Sequence, residues 1–265
     1  MKAFKYWCLL MFGMSSCAFG MEGVLEALPE AWQQECNQHL NDYLEFVAPV
    51  ELAERSWLPV EHKTPAEVCV SIDRLLNAGA QINAVCGCRT PLHRVCSWKI
   101  DPFNRGSISE ESVVVIVRFL LTKGADSNVP NRRGATAIFD ALMSKYGAVV
   151  RVLLDHNARV NVWGVYKGRQ MTPLHMAAWL GDAASADIII QKARVDGLPL
   201  PEFVNSRGPE RGGLTPLSLA KVCTRSRSDP VGVIQLLQRY GATDRVTEQE
   251  LSELRERVAG QRHGV

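Results

Sequence analysis

Apolar and polar residues alternate with a helical period toward both ends of the chain. Between Pro29 and Val47, the residues Trp32, Cys36, Leu40, Tyr43, Leu44 and Val47 fall near one face. Glu30, Gln33, Gln34, Gln38 and Asn41 fall near the other, so the segment predicts an amphipathic helix. At the far end Thr247 and Glu250 have the spacing of a capping box, and Leu251, Leu254 and Val258 form a narrow apolar stripe behind it. The chain between breaks into short apolar bursts punctuated by Gly, Pro and Asn, which predicts short helices joined by turns. The stretch from Trp7 to Met14 has no polar face to set against a core.

The bursts are copies of one phrase. Its opening half reads Arg89-Thr90-Pro91-Leu92-His93, Ala135-Thr136-Ala137-Ile138-Phe139, Met171-Thr172-Pro173-Leu174-His175 and Leu214-Thr215-Pro216-Leu217-Ser218. Its closing half runs from Leu75-Leu76 to Ala80 and Asn83, from Leu120-Leu121 to Ala125 and Asn128, from Leu153-Leu154 to Ala158 and Asn161, and from Leu236-Leu237 to Ala242 and Asp244. This phrase resembles the ankyrin repeat. Asn83, Asn128, Asn161, Asn205 and Asp244 lie 45, 33, 44 and 39 positions apart, which reads as a period of about 33 with inserted loops. The resemblance covers about two thirds of the chain and implies an all-α repeat protein, an ankyrin-type α-solenoid of helix-turn-helix units with β-hairpin-like loops.

The expected organisation is a signal peptide at 1–20, an N-terminal capping helix region at 21–49 and a repeat domain at 50–244. Its units are about 50–83, 84–128, 129–161, 162–205 and 206–244, and 245–265 forms a C-terminal capping helix and tail. Pro91, Pro173 and Pro216 suit the first helical position, where φ is already fixed and no hydrogen bond is lost. Thr90 and Thr172 can cap those helices, with His93 and His175 reaching back to the turn. Leu76, Leu121, Leu154 and Leu237 are expected to fill the space between units. Gly79, Gly124 and Gly241 are expected to end the outer helices in the left-handed region. The third unit departs from the phrase, with Ala137 for Pro and Asn157 for Gly, so its helix start is expected to be weaker. The first unit has Lys63-Thr64-Pro65-Ala66 too close to Leu75 for a complete phrase and reads as a degenerate cap.

Charge and cysteine content add a compartment. Lys2 and Lys5 precede the apolar stretch and Ala18-Phe19-Gly20 follows it, the layout of a secretory signal with the mature chain starting at Met21. Met14-Ser15-Ser16-Cys17 is also a loose lipobox, whose cysteine would carry lipid in a bacterium. Export to a periplasm or outside the cell is therefore expected, free or lipid-anchored at Cys17. Six cysteines remain after the leader, and export makes at least one disulfide an expectation. The net charge of +2 falls to zero once the two leader lysines are removed, so no bulk field draws nucleic acid. No apolar run reaches the roughly 18 residues of a bilayer span.

Ankyrin-like stacks hold partners with loop tips and the exposed side of the inner helices. The resemblance places these contacts at Arg132, Arg133, Trp163, Tyr166, Lys167, Arg169, Arg207 and Arg211 on the tips. On the inner helices it places them at Arg94, Trp98, Asp140, Met143, Met176 and Trp179. Residues 129–169 hold seven bases against Asp140 and Asp155, so the expected partner is another protein with an acidic or mixed, partly apolar surface. Trp98 and Trp163 could instead pack beneath a loop. Cys86, Cys88, His93 and Cys96 have the density of a zinc site, yet His93 already has a place in the repeat, so no metal and no cofactor is expected. Nucleophile elbows, phosphate loops and zinc-protease motifs do not occur, and no catalytic residue is assigned. The function expected is that of an adaptor, inhibitor or scaffold. The alternative is a lipid-anchored structural protein of the envelope.

Overall fold

A computed structural model describes residues 30–47, 64–98, 109–166, 168–209, 213–222 and 229–243. It divides into two compact units, Met1–Asp126 and Ser127–Val265. The leader, the box at Thr247 and Glu250 with its apolar stripe, Lys167, Arg211, and the side chains of Trp32 and Val47 lie outside the described residues.

In the first unit the helices are α1 (Glu30–Val47), α2 (Pro65–Asn77), α3 (Pro91–Cys96) and α4 (Glu110–Thr122). α1 packs on α3 and α2 packs on α4, while α1 meets α2 and α3 meets α4. The segment expected to be a separate cap before a unit at 50–83 is thus the inner helix of the first repeat, with α2 as its outer helix. Cys36, Leu40 and Leu44 supply the buried stripe. Thr64 and Glu67 close a capping box at the start of α2, which explains why that Thr-Pro lies so near Leu75: it begins an outer helix.

Asn41, expected on the polar face of α1, is fully buried, and Asn37 joins it. Both are satisfied. The Asn37 side-chain oxygen accepts from the Gln81 N–H at 2.5 Å, and the Asn41 oxygen accepts from Arg94 Nε at 3.0 Å. Helical periodicity cannot distinguish a buried amide with partners from an exposed one. No disulfide joins the five described cysteines, contrary to the expectation of a bridge.

The second unit holds α5 (Ala137–Ser144), α6 (Gly147–Asp155), the hairpin β1 (Gly164–Tyr166) and β2 (Arg169–Met171), α7 (Pro173–Leu180) and α8 (Ala183–Val195). After these come α9 (Leu200–Val204), α10 (Pro216–Val222) and α11 (Pro230–Arg239). α7 lies between α5 and α10, and α8 between α6 and α11. Ala177 and Ala178 are fully buried, and their small side chains let α7 approach its neighbours closely. The insertion after α8 forms the single-turn α9, which packs on α8 and buries Phe203 and Val204.

The phrase acts as read at its helix starts. Thr90 Oγ1 lies 2.7 Å from His93 Nδ1, and Thr172 Oγ1 lies 2.6 Å from His175 Nδ1. Thr136 makes no such side-chain bond, as expected for the unit without the Pro and His. Gly79, Gly124 and Gly241 have φ of 105, 91 and 84°, and Asn157 takes 62° in their place. Leu121, Leu154 and Leu237 are buried, but Leu76 is only half so.

The asparagines that mark the period also join the repeats. Asn83 donates to Gly124 O at 3.1 Å and accepts from Asp126 N at 2.8 Å. Asn128 makes the same pair with Asn157 O and Arg159 N, and Asn205 with Gly241 O and Thr243 N. After Asn161 the corresponding donor position is Pro199, which has no N–H to give. Each complete pair satisfies the turn that ends the next outer helix, at about 1 kcal/mol per bond.

Candidate functional site

Three loops of the second unit carry the basic and aromatic residues. In the first, Asn131 Oδ1 accepts from Arg133 N at 2.8 Å and from Ala135 N at 3.1 Å, fixing a turn that leaves Arg132 and Arg133 exposed. The second is the hairpin, registered as Gly164 to Met171, Val165 to Gln170 and Tyr166 to Arg169. Val165 N donates to Arg133 O at 2.9 Å, which ties the second loop to the first. Gly164 permits this approach, because a Cβ there would stand 2.9 Å from Ala135 Cα. The third loop exposes Arg207.

On this scaffold Trp163 is 38% exposed and its ring lies 5.6 Å from the His175 ring, tilted by 44°. Tyr166 and Arg169 are half-buried. Arg169 lines a small cavity with His175, Gly208, Gly213 and Leu214. His175 closes the floor. Its Nδ1 faces the Thr172 hydroxyl and its Nε2 lies 3.0 Å from Leu214 O, so the neutral ring donates from Nε2. Burial lowers its pKa from the usual 6.5 to about 4, with the hydrogen bonds to backbone carbonyls opposing the shift.

The inner-helix candidates divide. Asp140, Met143 and Trp179 are half-buried and remain partly accessible in the second unit. Met176 is 1% exposed and belongs to the core, as expected of an apolar side chain facing the neighbouring inner helices. Trp98, in the first unit, is 3% exposed and its indole Nε1 donates to Leu44 O at 3.1 Å. These two are corrected from surface contacts to packing residues. Arg94 is half-buried and its guanidinium is engaged by Asn41.

Arg132, Arg133, Trp163, Tyr166, Arg169 and Arg207 therefore share one set of loops. No acidic residue occurs within the described parts of those loops, and no ion pair among the described residues engages the four arginines. Val165, 37% exposed on the hairpin, adds apolar surface that the resemblance did not single out. Its signal was the alternation within a three-residue strand, too short to read as a period. Among the described residues no group of three or more His, Cys, Asp or Glu could hold a metal, and no helix is long and apolar enough to cross a membrane.

Stacked helix pairs, Thr-x-x-His caps and protruding loops define an all-α repeat protein. Residues 107–197 match the family model of ankyrin repeats (3 copies). It is also similar to an ankyrin repeat protein of Fowlpox virus (strain NVSL), with 39% identity over 62 residues, which is 23% of this chain and 8% of that protein. The chain thus spans less than a tenth of that relative's length. Ankyrin repeats are non-catalytic modules that bind other proteins.

Proposed function

We propose that this chain is an exported ankyrin-repeat protein that holds a protein partner through the three loops of its second unit, as an adaptor, inhibitor or scaffold. The observation that carries the reading is a set of arginines with no acidic residue among the described residues of their loops, Arg132, Arg133, Arg169 and Arg207, beside the exposed Trp163 and Val165. Arginine and aromatic side chains dominate interface energies, and four cations without an ion pair among the described residues favour a partner with an acidic, partly apolar surface. Export rests on the leader alone, with its two lysines, its apolar stretch and the small residues before Met21.

The test is capture of the partner by the parent chain and by the variant Arg132→Glu with Arg133→Glu, run over a range of salt. Both side chains are exposed on a turn held by Asn131, so the variant keeps its fold. Binding that is lost from the variant and weakens with salt supports the reading. Equal capture by both refutes this face. The mass of the mature N-terminus addresses export separately: a chain beginning at Met21 fits the free form, and an acylated Cys17 fits the envelope-anchored alternative.

A further inference from the structure

The first unit carries a loop of a different chemistry. Cys86 N donates to Arg89 O at 3.1 Å and Arg89 N donates to Cys86 O at 3.2 Å, so Gly87 and Cys88 form a two-residue hairpin turn. Gly87 has φ of 62° and Cys88 φ of 110°, both in the positive-φ region that favours glycine. In the second unit the last loop residue before the closing strand position is Gly134 at 71° and Gly168 at 77°. Cys88 holds that place at a backbone cost that its side chain does not recover in packing, since it remains half-exposed. A residue that breaks a local rule with no structural return points to chemistry.

Two further observations bear on what that chemistry is. Cys86 is also half-exposed, separated from Cys88 by Gly87 alone. Two Cα steps of about 3.8 Å each, folded through a turn, fall within the Cα separation of about 4.4–6.8 Å that a disulfide spans. The Arg94 guanidinium stands over the turn, with Nη2 3.5 Å from the position of a Gly87 Cβ. Burial raises the Cys86 thiol, with the Asp42 carboxylate adding to the rise and Arg94 and an Asn41 hydrogen bond opposing it. A partly exposed thiol pair in a surface turn is open to exchange with a small disulfide.

We infer that Cys86 and Cys88 are a dithiol redox site, which a low-molecular-weight disulfide of the glutathione class converts to a disulfide within the turn. This goes beyond partner binding and does not depend on it. The Cys88 thiolate attacks one sulfur of oxidised glutathione, forming a mixed disulfide and expelling one glutathione thiolate. Cys86 then loses its proton and attacks the Cys88 sulfur, and the second glutathione thiolate leaves. One disulfide bond breaks, one forms, and the two electrons of the dithiol end on two molecules of glutathione.

The experiment equilibrates the folded full chain in buffers of reduced and oxidised glutathione, blocks remaining thiols by alkylation, and weighs the tryptic peptides. Cleavage after Arg74 and Arg89 leaves Cys86 and Cys88 as the only cysteines of one peptide, Leu75 to Arg89. The expected product is that peptide without alkyl groups and two hydrogens lighter. In Cys88→Gly, which installs the residue used by the other loops, Cys86 is expected to end alkylated or glutathionylated. A parent peptide that carries two alkyl groups in the most oxidising buffer overturns the proposal. So does one that stops at mixed disulfides, or one cross-linked to a peptide containing Cys36, Cys69 or Cys96.

Discussion

His175 couples the stability of the second unit to pH. In the folded chain Nδ1 accepts from the Thr172 hydroxyl at 2.6 Å and lies 3.4 Å from the Thr172 N–H, while Nε2 donates to Leu214 O at 3.0 Å. A second proton on Nδ1 would point at groups that donate, inside a core with 1% of the residue exposed. The folded pKa is accordingly about 4 against 6.5 for a free imidazole. Between those values the unfolded chain binds a proton that the folded chain refuses, so unfolding becomes easier as pH falls. The contribution is complete above about pH 6.5 and is lost at about 1.4 kcal/mol per pH unit down to about pH 4, roughly 3 kcal/mol in all. Set against a typical domain stability of about 5–15 kcal/mol, that is measurable.

The perturbation is His175→Ser. Ser218 already occupies the same place in the next repeat, where its Oγ lies 3.0 Å from Thr215 Oγ1, so serine is compatible with this helix start. Urea unfolding at constant ionic strength is followed at intervals from about pH 4.5 to about pH 7.5, with amide exchange in Pro173–Leu180 locating the effect. The variant is less stable at neutral pH, because the bond to Leu214 is gone. Its deficit shrinks by about 2–3 kcal/mol toward pH 4.5, where the parent has lost most of the histidine's contribution. Unfolding free energies that run parallel across the range would refute the argument.

The remaining expectations concern packing and register. Asn128→Ala removes the bonds to Asn157 O and Arg159 N and is expected to cost about 1–3 kcal/mol, read by urea unfolding. The same change at Asn161, whose counterpart donor is Pro199, is expected to cost less than half of that. Gly164→Ala places a Cβ 2.9 Å from Ala135 Cα and should destabilise by about 1–3 kcal/mol, with faster amide exchange at Val165. Trp98→Ala should cost about 3–5 kcal/mol, since it empties a buried site and strands the Leu44 carbonyl; an effect below about 1 kcal/mol would return Trp98 to the surface.

The helix starts and turns were legible because each is a local event. Thr172, Pro173 and His175 sit within one turn, and their geometry follows from φ restriction and hydrogen bonds that span three residues. The arginines of the loops were legible for the same reason: Asn131 and Gly134 fix a turn from neighbouring positions, and the tip must then face water. Trp98 and Met176 were not, because the pattern that marks an inner-helix position says nothing about which neighbour covers it. Asn37 and Asn41 lacked any signal, since their partners Gln81 and Arg94 lie more than forty positions away.

The sequence by itself therefore determined the repeat, its caps, its left-handed turn residues and the basic loops, all set by steric and hydrogen-bonding rules acting over a few residues. Only the tertiary structure decided that α1 is an inner helix, that two asparagines belong inside, that Met176 and Trp98 are packing residues, and that Arg94 stands beside the Gly87 turn. Burial and charge proximity are sums over distant segments. A chain with irregular insertions carries no local mark of which segments those will be.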